Sequence, residues 1–209
     1  CMVRVSWRWR LSIQLCMVKS MRTPSKRRPR ADQFSATDWL DQGLKTLTES
    51  GFTALKAEPL AKAMGVSRGS FYWHFADVAA FRTALLKHWR EITTEQIIAN
   101  LEQLPKNKSP IDELLRRAFG RRLPLEIAVR SWAIVDPAAL AAVHAIDKRR
   151  LSYMEDQFAA QGYPRATARA RAQVLYWAFL GFSLSDKPLP KARQDEILHE
   201  LIGIANAPK

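Results

Sequence analysis

The chain has 209 residues, 47% of them hydrophobic and 25% charged, which is enough for a buried core in one or two domains. Lys and Arg outnumber Asp and Glu by 33 to 20, so the formal net charge is +13 and favours a polyanionic partner. The only cysteines are Cys1 and Cys16 and the four histidines are scattered, which excludes a disulfide framework and a metal site in the body and is typical of a reducing cytoplasm.

Residues 1–34 form a basic arm that we expect to be flexible. Nine Lys and Arg lie in residues 1–35 against a single acid, and counterion release draws such an arm to DNA phosphate. The chain begins with Cys1, whereas Met21 begins a more conventional opening. We therefore expect residues 1–20 to be non-native, either tag-derived or from a mis-called upstream start. An alternative function is a basic membrane-surface or protein-interaction module that acts through this arm, because VSWRWRLSIQL could form an amphipathic element.

A first helix is predicted from a cap at Ser35 or Thr37 to the residue before Gly51, a typical glycine stop. Leucines recur through it at helical spacing. Gly43 in its interior should cost about 1 kcal/mol relative to Ala, which predicts close packing at that point. The body of the protein thus begins with an amphipathic helix.

The stretch from Ala57 to Ala76, AEPLAKAMGVSRGSFYWHFA, predicts a helix-turn-helix. Gly65 suits a tight turn that needs a positive φ, and its spacing from Ala61 allows two helices to cross closely. Ser67 is a suitable N-cap for the second helix. The exposed edge of that helix carries side chains that contact phosphates and base edges in a major groove: Arg68, Ser70, Tyr72, Trp73 and His74. An ordinary corner of two helices with a mixed surface is the alternative.

The remaining patterns are helical and contain no period-2 strand of useful length, so the predicted fold is all-α with about nine helices. Asp77 caps a long helix, and Ser109-Pro110 and Asp136-Pro137 open two more. In Ala172–Phe182, nine of eleven residues are hydrophobic. That run is shorter than the ~20 residues that cross a bilayer, so we expect a buried helix and no stable membrane insertion.

The segment WLDQGLKTLTESGFTALKAEPLAKAMGVSRGSFYWHFADVAAF resembles the DNA-binding domain of TetR-family (tetracycline-repressor-like) transcriptional regulators over about residues 37–82. The resemblance implies a helix-turn-helix DNA-binding domain at 35–82 and a helical effector-binding and dimerisation domain at 83–209. It also implies a cytoplasmic, nucleoid-associated bacterial homodimer. Such a dimer binds a near-palindromic operator in double-stranded DNA, commonly as a repressor, and a small-molecule effector releases it.

The same resemblance implies which residues contact DNA. Arg68 suits a guanine edge, and Tyr72 and His74 fall on family positions that meet phosphates. The family commonly has Lys where this chain has Val78, and Lys56, Lys62 or the arm would substitute for it. The full predicted DNA-binding set is Lys56, Lys62, Ser67, Arg68, Ser70, Tyr72, Trp73 and His74.

Two further sets are implied for the C-terminal part. The effector pocket would be lined by aromatic residues and one histidine, although core packing is the alternative for each. These residues are Trp89, Phe119, Trp132, His144, Tyr153, Tyr176 and Trp177. The last two helices would form a four-helix dimer interface. The predicted interface residues are Ala168, Ala172, Leu175, Phe179, Phe182, Ile197 and Leu201.

No pattern indicates an enzyme or a cofactor. The sequence contains no nucleophile elbow, phosphate-binding loop, dinucleotide fingerprint or HExxH pair. Glu126, Asp136, His144 and Asp147 could be imagined as acid–base partners, but nothing in their spacing fixes them as a set. We therefore expect a binding protein.

Overall fold

The computed structural model describes residues 34–120, 123–185 and 189–208. The basic arm, and with it the membrane-surface alternative, lies outside these residues. Within them every regular element is helical: counting the continuous α4–α5 rod once gives nine α-helices, and a short 3-10 helix, Phe52–Ala54, follows the first. The all-α prediction is therefore confirmed for the described residues. The helices are α1 Ala36–Ser50, α2 Ala57–Met64, α3 Arg68–Tyr72, α4 Val78–Arg90, α5 Gln96–Glu102, α6 Pro110–Phe119, α7 Pro124–Ala133, α8 Pro137–Ala160, α9 Arg165–Ser183 and α10 Lys191–Asn206.

Helix α1 begins with a reciprocal cap. The Ser35 hydroxyl accepts from the Asp38 backbone N–H at 3.2 Å, and the Asp38 carboxylate accepts from the Ser35 N–H at 2.7 Å. These bonds satisfy amide groups that have no partner inside the helix. Ser35 is thus the cap, and Gly51 ends the helix with a φ of 76°.

Gly43 lies where α1 crosses α4. A Cβ built there would lie 2.6 Å from the Phe81 Cζ and 2.9 Å from the Leu85 Cδ1. Both side chains are fully buried, so they have little room to move away. The close packing that the sequence predicted at Gly43 is confirmed.

Replacing Gly43 with Ala should therefore destabilise the protein, although Ala is the better helix former. Overpacking should outweigh the gain in helix propensity and lower the free energy of unfolding by about 1–2 kcal/mol. Urea denaturation measures this change. In the matched control, Gly69→Ala, the new Cβ would lie 3.6 Å from the Ser67 Oγ, so we expect no destabilisation. A Gly43→Ala variant as stable as the parent would contradict the packing argument.

The helix-turn-helix is built as predicted. Gly65 adopts the left-handed conformation, with φ 71° and ψ 25°, and ends α2. The Val66 N–H then donates to the Ala61 carbonyl at 3.0 Å, which closes the turn. Ser67 occupies the N-cap position of α3, but its hydroxyl makes no capping bond within the described chain.

The first hydrophobic core joins the N-terminal helices to α7 and α8. Trp39 of α1 and Phe71 of α3 lie in the same buried cluster as Val129, Trp132 and Ile146. The core therefore continues past the predicted domain boundary at residue 82. A second core lies between α6, the C-terminal half of α8, α9 and α10.

The rod from α4 to α5 contains a π-helical turn at Glu91–Glu95. At its end the Gln96 N–H donates to the Glu91 carbonyl five residues back. Such turns are rare in proteins, but many of those that occur lie at functional sites. The sequence predicted one uninterrupted helix here, because apolar spacing does not reveal a single extra residue per turn.

Candidate DNA-binding surface and ligand cavity

Helix α3 presents three large side chains to solvent. Trp73, at its C-terminal end, is 82% exposed, and Arg68 and Tyr72 are also exposed. The Arg68 Nη2 donates to the Tyr72 hydroxyl at 3.1 Å, and this bond raises the pKa of Arg68. The outer edge of α3 thus combines a fixed cation with two aromatic groups.

The direction of α3 is set by the core beneath it. The Phe71 ring centroid lies 5.5 Å from that of Trp39 and 5.3 Å from that of Phe81, with Phe75 packed beside it. A helix of five residues has too few internal hydrogen bonds to hold itself. These aromatic contacts therefore keep the Arg68 edge turned outward.

Two of the predicted DNA-contact residues are not on the exposed edge of α3. Ser70 is fully buried, so the prediction that its side chain contacts DNA is corrected: it is on the inner face of α3 with Phe71. His74 is half-buried, its ring centroid 6.5 Å from that of Trp39. Its Nε2 is buried and has no hydrogen-bond partner among the described residues, which leaves only the rest of the ring for an outside contact.

Three lysine and serine candidates around the motif are accessible. Lys56, Lys62 and Ser67 are all exposed near α2 and the start of α3. Val78 is half-buried against the first core at the start of α4, so this position supplies packing and no charge. Their contacts with DNA remain predictions.

A cavity of about 680 Å³ lies between the α4–α5 rod and helices α6 to α9. Its volume falls within the ~300–1,000 Å³ of typical ligand pockets. Its walls are mainly apolar. The apolar lining includes Ile92, Ile97, Ile98, Leu114, Leu115, Phe119, Leu123, Leu125, Met154, Leu175 and Phe179.

An ion-pair network lies along one wall of the cavity. Glu126 accepts from the Arg130 Nε at 2.9 Å and from the Arg150 Nη1 at 3.0 Å, while Arg130 also binds both carboxylate oxygens of Asp147. The Tyr176 hydroxyl donates to the Asp147 Oδ1 at 2.5 Å. Only 4% of the Glu126 side chain is exposed, so this carboxylate depends on the two arginines.

The pKa values in this network follow from burial and pairing. Burial alone would lower the pKa of Arg130, but the hydrogen bond to Asp147 and the charge of Glu126 raise it overall. Burial, helped by the hydrogen bond to Asp147, raises the pKa of Tyr176. The arginine thus remains a cation and the tyrosine a neutral donor at physiological pH.

The π-helical turn is tied to this wall. The Arg150 Nε donates to the Thr94 hydroxyl at 3.1 Å, and its Nη2 lies 3.4 Å from the Thr93 carbonyl oxygen. Glu95 pairs with Arg149 and Arg90; burial would raise its pKa, but these partners lower it overall. The α8 arginines therefore fix the turn in the middle of the α4–α5 rod.

Two residues of the predicted effector-pocket set lie at the cavity. Phe119 and Tyr176 line the cavity. Trp89 and Trp132 are instead buried in the first core and Tyr153 in a small cluster with Ile98, while His144 and Trp177 are exposed. These five lie outside the cavity lining, because helical spacing does not show which residues face a cavity and which face the core or the solvent.

The cavity residue that the sequence analysis missed is Arg150. Ile146, Arg150, Met154 and Phe158 recur every four residues, so the arginine lies on the inward stripe of α8. A cation on such a stripe needs a buried carboxylate partner, and this signal could have identified it.

Two of the four residues considered as acid–base partners do meet. Glu126 and Asp147 both bind Arg130, so the structure joins them as ion-pair partners. Asp136 caps α8 through the Ala138 and Ala139 amides, and His144 is exposed. The arrangement is a charge network rather than a catalytic set.

The dimer-interface prediction chose the inner face of the last helices. Ala168, Ala172, Leu175 and Leu201 are buried inside a single chain, so they are corrected to core residues. Phe179, Phe182 and Ile197 are half-buried against the same core. The outward face of α9 carries six exposed apolar residues, with the exposed Arg165 and Arg169 beside them; the six are Ala166, Ala170, Val174, Trp177, Gly181 and, directly after the helix, Leu184.

Fold and site together define a class: a helix-turn-helix protein whose N-terminal domain shares a core with a helical body that holds a ligand-sized cavity. Residues 40–85 match the sequence model of the family described as bacterial regulatory proteins, tetR family. Residues 40–85 therefore carry the DNA-binding region of the TetR family of transcriptional regulators. Because that family consists of regulators, the prediction that the chain is not an enzyme is confirmed.

The relatives agree with this family. The uncharacterized HTH-type transcriptional regulator YwcC of Bacillus subtilis (strain 168) is 25% identical over 119 residues, 56% of this chain. The chain spans about half the length of that relative, 53%.

Solved structures show the same fold. The reduced form of NemR from E. coli has a TM-score of 0.68 at 18% identity, over 83% of this chain and 99% of that one. AibR in complex with isovaleryl coenzyme A and operator DNA has a TM-score of 0.60 at 15% identity, over 81% and 96%. In the described part of this chain, no helix has the length and apolar character needed to cross a membrane.

Proposed function

We propose that this protein is a cytoplasmic, ligand-responsive repressor that binds double-stranded operator DNA as a homodimer. The observation that carries the proposal is the outer edge of α3, where Arg68 and the 82% exposed Trp73 stand on a helix fixed from below by Phe71. A tryptophan contributes little to the fold when it is exposed, but it can pack on a thymine methyl or a sugar. Arg68 suits the O6 and N7 of guanine.

The homodimer follows from the outward face of α9. Its six residues are apolar, are spaced by three or four positions and include three small residues, so a second α9 could approach closely. The partner is a second copy of this chain, because an operator with two-fold symmetry needs two recognition helices about 34 Å apart.

The release step rests on the position of the cavity. Residues of the π-helical turn, Ile92 to Thr94, line it, and the same rod carries Phe81 and Leu85 beneath α1 and α3. An effector that binds more tightly when the rod has shifted would therefore also change the distance between the two α3 helices of the dimer. AibR, whose structure contains isovaleryl coenzyme A and operator DNA, is an example of a protein of this fold that binds both a small molecule and DNA.

Binding to DNA selected from a randomised pool tests the proposal. We expect the selected sites to be near-palindromic with half-sites one helical turn apart. Arg68→Ala should weaken binding to the best site about ten- to a hundred-fold in a gel-shift titration at fixed salt. Arg193→Ala, which removes an exposed cation on α10, is the control and should bind within about two-fold. Selection of no sequence, or unchanged affinity of Arg68→Ala, would contradict this assignment.

A further inference from the structure

Given the ligand-responsive function proposed above, we infer that the effector is an apolar molecule with one anionic group. We further infer that Arg150 binds this group and transmits its arrival to the π-helical turn of the α4–α5 rod.

The charged residues at the cavity wall are three arginines and one glutamate, Arg116, Arg117, Arg150 and Glu126. Glu126 already accepts hydrogen bonds from Arg130 and Arg150, so its charge is balanced within the wall. Arg117 is paired with Glu113, and Asp147 balances Arg130, so the surplus at the cavity is the single positive charge of the exposed Arg116. A cationic ligand would meet this surplus in a low-dielectric space, whereas an anionic group would neutralise part of it.

Arg150 is the cation best placed to receive that group. Its side chain is only 14% exposed, and its guanidinium carbon lies 5.5 Å from the centroid of the Phe179 ring, on the apolar wall. Its bonds to Glu126 measure 3.0 and 3.2 Å, but those to the Thr93 carbonyl and hydroxyl measure 3.4 Å. A ligand carboxylate would form a shorter, charge-assisted bond and would displace the two long ones.

The rest of the ligand must be apolar. Beyond the arginine wall, the lining consists mainly of aliphatic and aromatic side chains from the rod and from α6, α8 and α9. Burying polar groups against these walls without partners would be unfavourable. A volume of about 680 Å³ accommodates a chain of ten carbons or more.

Arg150 also contacts the part of the rod that differs from a regular helix. Both Thr93 and Thr94 lie in the π-helical turn, and Arg150 bonds to each. On the far side of this turn, α4 packs through Phe81 under α3. When a ligand replaces Thr93 as the partner of Arg150, the π-helical turn therefore loses two of its hydrogen bonds to α8. Helix α4 connects this turn to the DNA-binding surface.

Binding of matched amphiphiles by the full chain tests the ligand class. The probes are fatty carboxylates, alcohols and alkyltrimethylammonium ions of equal chain length, from eight to sixteen carbons and below their micelle concentrations. By calorimetry, we expect the best carboxylate to bind at least about ten-fold more tightly than its alcohol, and the ammonium ion most weakly. Equal or tighter binding of the alcohol or the ammonium ion overturns the inference, and so does the absence of carboxylate binding.

Arg150→Gln tests the residue. This variant should lose the preference for carboxylate over alcohol, while Arg193→Gln should keep it. Hydrogen exchange of the residue 91–95 amides should change when the carboxylate binds the parent and should stay unchanged in Arg150→Gln. Should Arg150→Gln not fold, Arg150→Lys keeps the charge but cannot bridge Thr94 and Glu126, and should retain the preference without the exchange change. A preserved preference in Arg150→Gln, or an unchanged exchange pattern in the parent, overturns the assignment.

These readouts use no DNA. If the chain failed to select an operator, the proposed function would fall while carboxylate binding could still be measured. If it bound an operator but showed no preference for a carboxylate, only the effector inference would fall.

Discussion

Replacing Glu126 with Gln should lower the free energy of unfolding by about 3–5 kcal/mol, because it leaves two cations in the wall without their shared anion. The side chain is 4% exposed and pairs with Arg130 on its own helix and with Arg150 on α8. Asp147 can still balance Arg130, but within the described chain no second carboxylate pairs with Arg150. The amide keeps the shape of the side chain and removes only its charge.

Urea denaturation of the variant and of a matched control separates burial from charge. Glu113 also pairs with an arginine one helical turn away, Arg117, but that pair is partly exposed. Glu113→Gln should therefore cost less than about 1 kcal/mol. Equal effects of the two substitutions would mean that the Glu126 network contributes no more than a surface ion pair.

The N-terminal half could be predicted because its determinants are local. The Ser35 cap and the positive φ of Gly65 each depend on residues within a few positions of one another. The close packing at Gly43 was visible as a glycine that a helix would otherwise avoid. The burial of Ser70 was not visible, since α3 is too short for a clear periodicity.

The cavity could not be predicted because it depends on distant contacts. Arg130 meets Tyr176 across 46 residues of sequence, and Arg150 meets Thr94 across 56. Helical spacing identifies which faces of α8 and α9 are buried. It does not show whether two buried faces pack tightly or enclose a cavity, because that depends on the shapes of their side chains. The predicted interface residues Ala168, Ala172 and Leu175 lie on the face of α9 that packs within the chain, because a count of hydrophobic residues does not show which face is buried.

Replacing Trp177 with Glu should convert the proposed dimer into monomers. Trp177 is 63% exposed in the single chain and lies at the centre of the outward face of α9, between Val174 and Gly181. A two-fold interface would bury both copies, and loss of a central tryptophan costs about 2 kcal/mol or more per copy. The dissociation constant should therefore rise about a thousand-fold, aided by the repulsion of two facing carboxylates.

Sedimentation at micromolar concentration measures this change against the 23.8 kDa mass of one chain. Ile134→Glu is the control, since it places the same charge on a residue that is 83% exposed and lies in the turn after α7, not on α9. It should leave the dimer intact. Since Trp177 supports no core of its own chain, Trp177→Glu should keep the thermal stability of a folded monomer and lose only the paired presentation of α3. If the dimer persisted in Trp177→Glu but dissociated in Ile134→Glu, the interface would lie at the turn between α7 and α8 and not on α9. The distance between the two Arg68 side chains would then be set by that interface.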